Sequence, residues 1–416
     1  MTKSTFSFKI KLALILSVCI NIEAMAQSDS LYKNNKKDTG HQLLNMDATY
    51  SRPFFKSTKF PVAIGGYLEA NTIYSSTDGV SEGLSFQMRR MTLFFSSTIA
   101  KRIKFLSELE FEDGTKEINL EFAAIDLELN PLLNFRGGII MNPIGGFNQN
   151  HDGPRWDFIE RPISATTIIP STLSNVGFGL YGKTFLKGLT LGYEIYLTNG
   201  FNDQIISNTE NRTSLAAGKT NANRFEESSN GAPMLTTKLA FRNRKIGELG
   251  LSYMSGTYNS FNSDGLPIDK QRKLNVFALD FNTNLLKSRF ALTGEIAKVL
   301  VDVPETYSQT FGNAQLGGYV DLVWTFFQKP IAHMGWEKAK INAVVRLDYA
   351  DYNQGKFKNT QTNISDHLWA ISPGIAFRPV GSTVFRLNYS YNQKTDLLGN
   401  PPSQTGAILI GFSSYF

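Results

Sequence analysis

The 416-residue chain contains one cysteine, Cys19, and that residue lies inside an apolar stretch near the N-terminus. The rest of the chain therefore has no thiol with which to form a disulfide bond, so hydrogen bonding and packing must stabilise it. The bulky Val18 that precedes Cys19 does not fit the small residue usual before a lipid-modified cysteine. This context argues against a lipoprotein anchor.

Long apolar runs are also missing. Beyond residue 26, no uninterrupted apolar run approaches the ~18 residues that indicate a helical membrane span. The formal net charge of +6 is small for a chain of this length, and it gives no reason to expect a nucleic-acid partner. Membrane helices and nucleic-acid binding are therefore both excluded as organising features.

Residues 1–26 have the pattern of a secretory signal peptide. Lys3, Lys9 and Lys11 precede an apolar core over residues 12–22, and an Ala-Met-Ala sequence follows at residues 24–26. This is the order of basic region, apolar region and cleavage site that marks exported proteins, and the core is too short to span a membrane. The pattern predicts export and a mature chain that begins at residue 27.

Residues 27–60 are polar and show no sustained hydrophobic period. Such a stretch cannot bury enough apolar surface to fold by itself. It predicts a mobile periplasmic N-terminal extension, with a small docking element as the alternative.

From residue 61 to residue 416, apolar and polar residues alternate in segments of about ten residues. A clear example places four apolar residues against four polar ones: Ile103, Phe105, Leu109 and Phe111 against Lys104, Glu108, Glu110 and Glu112. Period two over such lengths predicts β-strands with one apolar and one polar face. We count about sixteen such segments, separated by turn residues.

The connections between these segments alternate between short and long. Tight links at one end of a strand meander and long loops at the other are typical of outer-membrane barrels, whose apolar face meets lipid and whose polar face lines the lumen. The sheet must close, because an open edge in hydrocarbon leaves backbone groups unpaired. The sequence therefore predicts an all-β, transmembrane, antiparallel up-and-down β-barrel in the outer membrane.

The connection over residues 142–175 is unusually long and rich in glycine, proline, asparagine and aromatic residues. A loop of this length is uncommon unless it is functional. Its apolar side chains, such as Phe147, are unsuited to water, so we expect an inward-folded third extracellular loop that narrows the lumen. The residues predicted at this pore constriction are Asp152, Arg155, Trp156, Asp157, Glu160 and Arg161.

The charges of these constriction residues allow two interpretations: a transverse electric field across the pore, or a loop held together by internal ion pairs. Trp156 and Phe158 are expected to be packing anchors for the loop rather than a sugar platform. The residues predicted on the lumen wall are Arg89, Arg90, Glu108, Glu110 and Glu121. Because Arg89 and Arg90 are adjacent, they should point to opposite faces unless a bulge intervenes.

Several stretches resemble one family of barrels. They are FQMRRMTL at residues 86–93, the strand pair at residues 106–129, FRGGIIMNPIGGFN at residues 135–148 and YLTNGFND at residues 196–203. In this order they resemble the phosphate-selective porin O and P family. The resemblance implies a sixteen-stranded, usually trimeric channel whose third extracellular loop narrows the pore.

The sequence departs from that family at one important position. Members often carry a lysine where this chain has Met141. The predicted wall of the third and fourth strands is acidic, whereas anion selectivity requires a constriction lined by arginine or lysine. We therefore do not extend phosphate specificity to this chain.

The sequence thus predicts a porin that lets small hydrophilic solutes or ions diffuse passively, with a structural or adhesive barrel of plugged lumen as the alternative. His151-Asp152 lacks the nucleophile context of a catalytic set, so we predict no enzyme activity and no cofactor or metal. Expected partners are outer-membrane lipid, further copies in a homotrimer, and the barrel-assembly machinery, which would recognise the terminal Phe416.

Overall fold

The computed structural model describes residues 44–55, 61–186, 188–210, 212–283, 289–307 and 312–416. The predicted signal peptide, and the parts of the predicted extension at residues 27–43 and 56–60, lie outside the described residues. Those parts of the expected domain organisation remain predictions.

Most of the described chain forms strands. In chain order they are β1 (Val62–Thr77), β2 (Val80–Ala100), β3 (Ile103–Glu112), β4 (Glu117–Asn130), β5 (Leu133–Met141), β6 (Ser174–Leu186), β7 (Leu189–Thr198), β8 (Met234–Asn243), β9 (Gly247–Thr257), β10 (Asn262–Ser263), β11 (Leu266–Pro267), β12 (Lys273–Asn282), β13 (Phe290–Val301), β14 (Ala314–Gln328), β15 (Lys340–Gln354), β16 (His367–Val380), β17 (Thr383–Thr395) and β18 (Ser403–Tyr415). The two shortest, β10 and β11, pair only with each other.

The other sixteen strands form one closed antiparallel barrel. Each strand pairs with its neighbours in the chain, and β1 closes the sheet by pairing with both β2 and β18. Tyr67 of β1 lies opposite Thr92 on one side and opposite Tyr415 on the other. The prediction of an all-β, up-and-down barrel of about sixteen strands is confirmed.

The connections differ at the two ends of the barrel. At the end where residues 142–173 and 199–233 form long segments, the first two connections are short. The β1–β2 hairpin closes through Asp78 and Gly79, whose φ angles are 51° and 82°. Positive φ at both central residues is what a tight hairpin turn requires, and Asp-Gly supplies it at low cost.

Short helices lie in the connections and in the N-terminal segment. The α-helices are Ile163–Thr167 and Leu215–Lys219, and the 3-10 helices are Asn45–Asp47, Thr49–Ser51, Asn148–Asn150, Gly153–Arg155, Asp203–Ile205, Ala222–Phe225 and Ala332–Met334. Within the described ranges, no helix has the length and apolar character needed to cross a membrane.

The two faces of the barrel differ as the alternation predicts. Outward side chains such as Phe135, Leu387 and Ile410 are apolar and exposed. Inward side chains such as Asp126 and Arg346 are charged and buried. Burying a charge is costly unless an opposite charge and hydrogen bonds compensate it, so these inward groups must be paired. The ion pairs on the inner face are therefore part of what fixes the interior.

Two β-bulges change which side chains reach the interior. The register between β1 and β2 shifts after Glu69↔Arg90, which leaves Arg89 as an extra residue. Arg89 and Arg90 both contact inward carboxylates as a result. A second shift between β3 and β4 leaves Glu121 as an extra residue. Phe122, which simple alternation with Glu121 places on the apolar outer face, is instead buried on the inner face.

Residues 44–55 contact the inner face of the barrel. Leu44 and Met46 pack with Ala240 of β8, and the Tyr50 hydroxyl is hydrogen-bonded to Asp126 of β4. The backbone N–H of Asn45 donates to Glu248 of β9. Apolar and polar side chains of residues 44–55 thus contact inward-facing residues of the barrel.

Candidate functional site

The two ends of the 142–173 segment lie close together, between the end of β5 and the start of β6. The Asn142 side chain donates to Asn175 Oδ1 at 2.6 Å, across the base of the segment. Asn148 Nδ2 donates to the carbonyl oxygens of Asn142 and Leu173, and Asn148 Oδ1 accepts from the Leu173 N–H. These bonds satisfy backbone groups that no strand pairs, so the segment leaves the barrel wall in a fixed direction.

An apolar cluster supports one side of the segment. Its buried members from the segment are Ile144, Ile168, Ile169 and Leu173. They pack with residues of the 199–233 segment and with the inner faces of strands in the second half of the barrel: Phe201, Ile205, Leu215, Met234, Met254, Leu274, Val276, Val299 and Tyr352. The apolar character noticed in the sequence is thus used for packing against the inward surface.

The backbone of the segment around Gly145 lies close against the Glu295 side chain of β13. The N–H groups of Gly146 and Phe147 both donate to Glu295 Oε2, at 2.8 and 3.1 Å. Lys238 of β8 donates to the Gly145 carbonyl oxygen at 2.6 Å. Gly145 has a φ of +68°, and a Cβ there would lie 2.4 Å from Glu295 Oε2. Only glycine fits this position without displacing the carboxylate.

Three arginines on adjacent strands hold the central part of the segment. Arg346 of β15 donates to the carbonyl oxygen of Glu160 at 2.7 Å. Arg378 of β16 donates to that of Pro154 at 2.7 Å, and Arg386 of β17 donates to that of Phe158 at 2.6 Å. Each arginine also pairs with a carboxylate, respectively Asp321, Asp157 and Glu69. We call Arg346, Arg378 and Arg386 the arginine row.

The arginine row was not predicted from the sequence. Its members stand at inward positions of three strands, in the runs VVRLD, FRPV and FRLNY. The same period-two alternation that located the acidic wall of β3 and β4 would have placed Arg346 and Arg386 on the inner face. What alternation does not give is the partner, because carbonyl oxygens of a distant segment leave no sequence signal.

A buried charge cluster joins the segment to β3 and to residues 44–55. Arg52 Nη2 lies 2.8 Å from Glu108 Oε2 and 2.6 Å from Asp152 Oδ1. His151 Nε2 lies 3.2 Å from Glu108 Oε1, and its Nδ1 lies 3.0 Å from the Asn148 carbonyl oxygen. Both ring nitrogens of His151 are therefore engaged in contacts that orient the ring.

The neighbours of these groups shift their pKa values. Burial lowers the pKa of His151, but the charge and hydrogen bond of Glu108 outweigh burial and raise it above the ordinary value. Burial raises the pKa of Asp152, but Arg52, followed by Arg155 and His151, holds the pKa of that carboxyl well below its usual range. Asp152 is therefore an anion at neutral pH, and protonated His151 is favoured.

The same cluster is the one group within the described ranges with a metal-like donor set. Ligand atoms of Glu108, His151 and Asp152 lie within 4.8 Å of one another. The guanidinium of Arg52 stands between the two carboxylates and supplies the positive charge that a metal ion would bring. The arrangement is that of an ion-pair cluster, and we assign no metal to it.

The predicted constriction residues contact barrel strands and residues 44–55 more than they contact one another. Asp157 pairs with Arg378, and Glu160 lies 3.3 Å from Arg89. Arg155 joins the segment to other parts of the chain. Its guanidinium donates to the hydroxyl of Tyr415 in β18, and to the Ala48 carbonyl oxygen and the Ser51 hydroxyl. It also donates to the Asn150 side chain within the segment. Ion-pair contacts within the segment itself centre on Asp152, which lies 3.5 Å from Arg155 and 3.8 Å from His151.

Trp156 and Phe158 of the segment act as packing groups. Trp156 lies against Phe147, with ring centroids 4.9 Å apart, and near Tyr319 of β14. Its indole N–H donates to the Asn150 carbonyl oxygen. Phe158 lies 4.2 Å beneath the guanidinium of Arg346. Both contacts agree with the expectation that these rings anchor the segment.

The predicted wall residues are all on the inner face. Arg90 lies 2.9 Å from Glu112 and 3.3 Å from Glu69. Glu110 accepts hydrogen bonds from Tyr67 and Thr92. Separately, the buried side chains of Glu121 and Thr172 are hydrogen-bonded. The carboxylates of the acidic wall predicted from β3 and β4 are thus hydrogen-bonded by hydroxyl groups or paired with arginine.

A cavity of about 290 Å³ lies between this wall, the 142–173 segment and the 199–233 segment. Its charged lining residues are Arg89, Arg90, Arg161, Lys219, Glu112, Glu121 and Glu160, and the others carry hydroxyl groups: Thr166, Ser171 and Thr172. We call it the mixed-charge cavity. Two predicted constriction residues, Glu160 and Arg161, therefore line the same space as predicted wall residues.

The raised pKa of His151 gives a pH-dependent prediction. The stability that Glu108 adds to protonated His151 is fully present below the ordinary His pKa of about 6.5 and is lost as the pH rises through the folded-state pKa. We expect the thermal unfolding midpoint of the wild type to fall more than that of His151→Gln between about pH 6 and pH 9. Heat-dependent gel migration measures the unfolding midpoint of each protein at each pH. An equal fall in the two proteins would contradict the stabilisation of protonated His151 by Glu108.

Comparison with known proteins places the fold but not the family. No protein-family model matches the chain. Over 146 residues it is 33% identical to an uncharacterized protein of Aquifex aeolicus (strain VF5), and the match covers 33% of this chain and 32% of that protein. The chain thus matches about a third of the length of this curated relative.

Two solved outer-membrane porins have a similar fold. For OmpF of Salmonella typhi, solved in complex with daunomycin, the TM-score is 0.52 at 12% identity, over 86% of this chain and 98% of that one. For the anion-selective porin from Comamonas acidovorans it is 0.50 at 13% identity, over 85% and 99%. At these identities the similarity concerns the sixteen-strand barrel and not the solute.

Proposed function

We propose that the chain is an outer-membrane porin through which small hydrophilic solutes or ions diffuse passively. The observation that carries this proposal is the closed barrel with an exposed apolar outer face and a charged inner face. In water that arrangement would leave the apolar side exposed, whereas in a lipid bilayer it is the favourable orientation. Export by the predicted signal peptide is consistent with this location.

We infer that the 142–173 segment lies inside the barrel and narrows it. The segment binds Glu108 of β3 through His151, Glu295 of β13 through Gly146, and Arg378 of β16 through Asp157. These strands are far apart in the barrel order. A segment that reaches the inner face of all three must lie between them.

The resemblance to the phosphate-selective porin O and P family supports a channel of this build, and we propose that the chain is a distant member. Assembly as a homotrimer and recognition of Phe416 by the barrel-assembly machinery follow from that proposal. Each arginine of the arginine row is paired with a carboxylate and so offers little free positive charge, which argues against extending phosphate specificity. A non-enzymatic role agrees with the engaged ring nitrogens of His151.

A barrel with a plugged lumen is the second candidate. Residues 44–55 occupy the interior beside the 142–173 segment, and Arg155 links the two through the Ala48 carbonyl oxygen at 2.6 Å. A structural or adhesive role would need no open path.

Solute entry into liposomes separates the two candidates. We expect liposomes that contain the refolded protein to swell in isotonic arabinose, and to swell more slowly as the sugar becomes larger. Liposomes with heat-denatured protein are the control. Swelling no faster than this control, with a barrel that still migrates as folded on unheated gels, would favour the plugged barrel.

A further inference from the structure

The mixed-charge cavity carries two cations without a close partner. Arg161 Nη2 is buried and makes no hydrogen bond within the described part of the chain; an oxygen of Glu110 lies 3.8 Å away. In the same part of the chain, Lys219 Nζ has no hydrogen bond or ion pair. Burial lowers the pKa of Lys219, and Glu121 only partly offsets this. Poorly compensated cations in a confined polar space favour a negatively charged group beside them.

The cavity also presents carboxylates that remain accessible. The side chain of Glu160 is 43% exposed and its contact with Arg89 is long, at 3.3 Å. Glu112 is 25% exposed, although Arg90 holds one of its oxygens at 2.9 Å. A simple anion would meet these carboxylates, and a simple cation would meet Arg161 and Lys219. Each would gain one favourable contact and one unfavourable contact.

A solute that carries both charges avoids this conflict. Hydroxyl groups complete the lining, and no purely hydrocarbon side chain lines the cavity among the described residues. Its volume of about 290 Å³ is at the small end of the range for ligand sites. The lining therefore suits a compact polar molecule with a carboxylate at one end and an ammonium group at the other.

We propose that the mixed-charge cavity is a transit site for small zwitterions of the amino-acid type. The carboxylate of the solute faces Arg161 and Lys219, and its ammonium group faces Glu160. This inference rests on the proposed porin function, since it names the class of solute that the channel favours. Net-neutral solutes without separated charges would pass without these contacts.

The test compares glycine with glycolamide, an uncharged molecule of nearly the same size. In the swelling assay we expect glycine to enter wild-type liposomes faster than glycolamide by about two- to fivefold, the ratio that a partly exposed ion pair gives. Lys219→Gln and Glu160→Gln should each bring this ratio towards one. Lys270→Gln removes a cation from the exposed loop between β9 and β12 and should leave the ratio unchanged.

The outcomes distinguish this inference from the proposed function. If arabinose enters but glycine and glycolamide enter at equal rates, the zwitterion site is wrong and the porin stands. If glycolate, supplied as its potassium salt, enters faster than glycine and only the Lys219→Gln variant loses this preference, the cavity is an anion site and the inference fails. If arabinose does not enter, the porin proposal itself fails. Arg161→Gln, checked for folding by gel migration, repeats the test at the second cation.

Discussion

Replacing residues 146–171 with a short glycine–serine turn is expected to raise the conductance of each open channel several-fold. These residues supply most of the contacts between the segment and the inner face, including those with Glu295, Arg378 and Arg386. The barrel wall does not depend on them, because every barrel strand pairs with both neighbours. Removing the segment should therefore widen the aqueous path without opening the sheet.

The same deletion should also shift ion preference. Residues 146–171 carry three carboxylates, Asp152, Asp157 and Glu160, and two arginines, Arg155 and Arg161. Their loss leaves Arg378 without Asp157 and the Pro154 carbonyl oxygen, and Arg386 without the Phe158 carbonyl oxygen, so both arginines offer freer positive charge to the lumen. We expect the reversal potential in a salt gradient to move towards anion selectivity.

Planar-bilayer recordings of the deletion variant, the wild type and a second deletion test this prediction. The second deletion removes the β10–β11 hairpin, whose residues are exposed and whose two strands form a sheet separate from the barrel. It should leave conductance unchanged. Equal conductance in all three proteins would show that residues 142–173 do not set the narrowest part of the path.

Changing Arg52 to methionine is expected to free residues 44–55 from the interior. Methionine keeps an unbranched stem but has no guanidinium group, so it leaves Glu108 and Asp152 buried without the cation of Arg52. Breaking a buried ion pair by removing one partner costs about 3–5 kcal/mol. That cost falls on the contact that joins the N-terminal segment to the 142–173 segment, so both should become more mobile.

Hydrogen exchange at the backbone amides of residues 44–55 measures the effect. We expect exchange to become faster in Arg52→Met and single-channel current to become larger and noisier. Lys104→Met is the matched control: it removes a cation from a pair with Glu128 in which both side chains are more than a third exposed. Such pairs contribute at most about 1 kcal/mol. Equally slow exchange in Arg52→Met and wild type would contradict the role given to Arg52.

The strand pattern could be predicted because alternation is a local property. Most barrel strands alternate apolar outward residues with polar inward residues, so about sixteen antiparallel strands could be predicted from the sequence alone. The bulges could not be predicted this way. Glu121 and Phe122 both face inward because one residue is inserted opposite β3, and single-sequence alternation does not show where pairing slips.

The interior partners were harder still to predict. Asp157 and Arg378 are separated by more than two hundred positions in the chain, and many of the contacts of the 142–173 segment run from arginine to carbonyl oxygen. Carbonyl oxygens exist at every residue, so they carry no sequence signal. The contacts of residues 44–55 left no sequence signal for a related reason: Arg52 and Tyr50 look like ordinary polar residues until Glu108 and Asp126 are placed beside them.

The most direct test of the central claim is the single-channel conductance of the refolded wild-type protein in planar bilayers. The claim is that a continuous aqueous path runs through the barrel past residues 142–173. It predicts discrete conductance steps, and current in salt solution that grows with salt concentration. A barrel that migrates as folded on unheated gels and inserts into the bilayer, yet gives no conductance steps, would contradict the claim and support a plugged barrel.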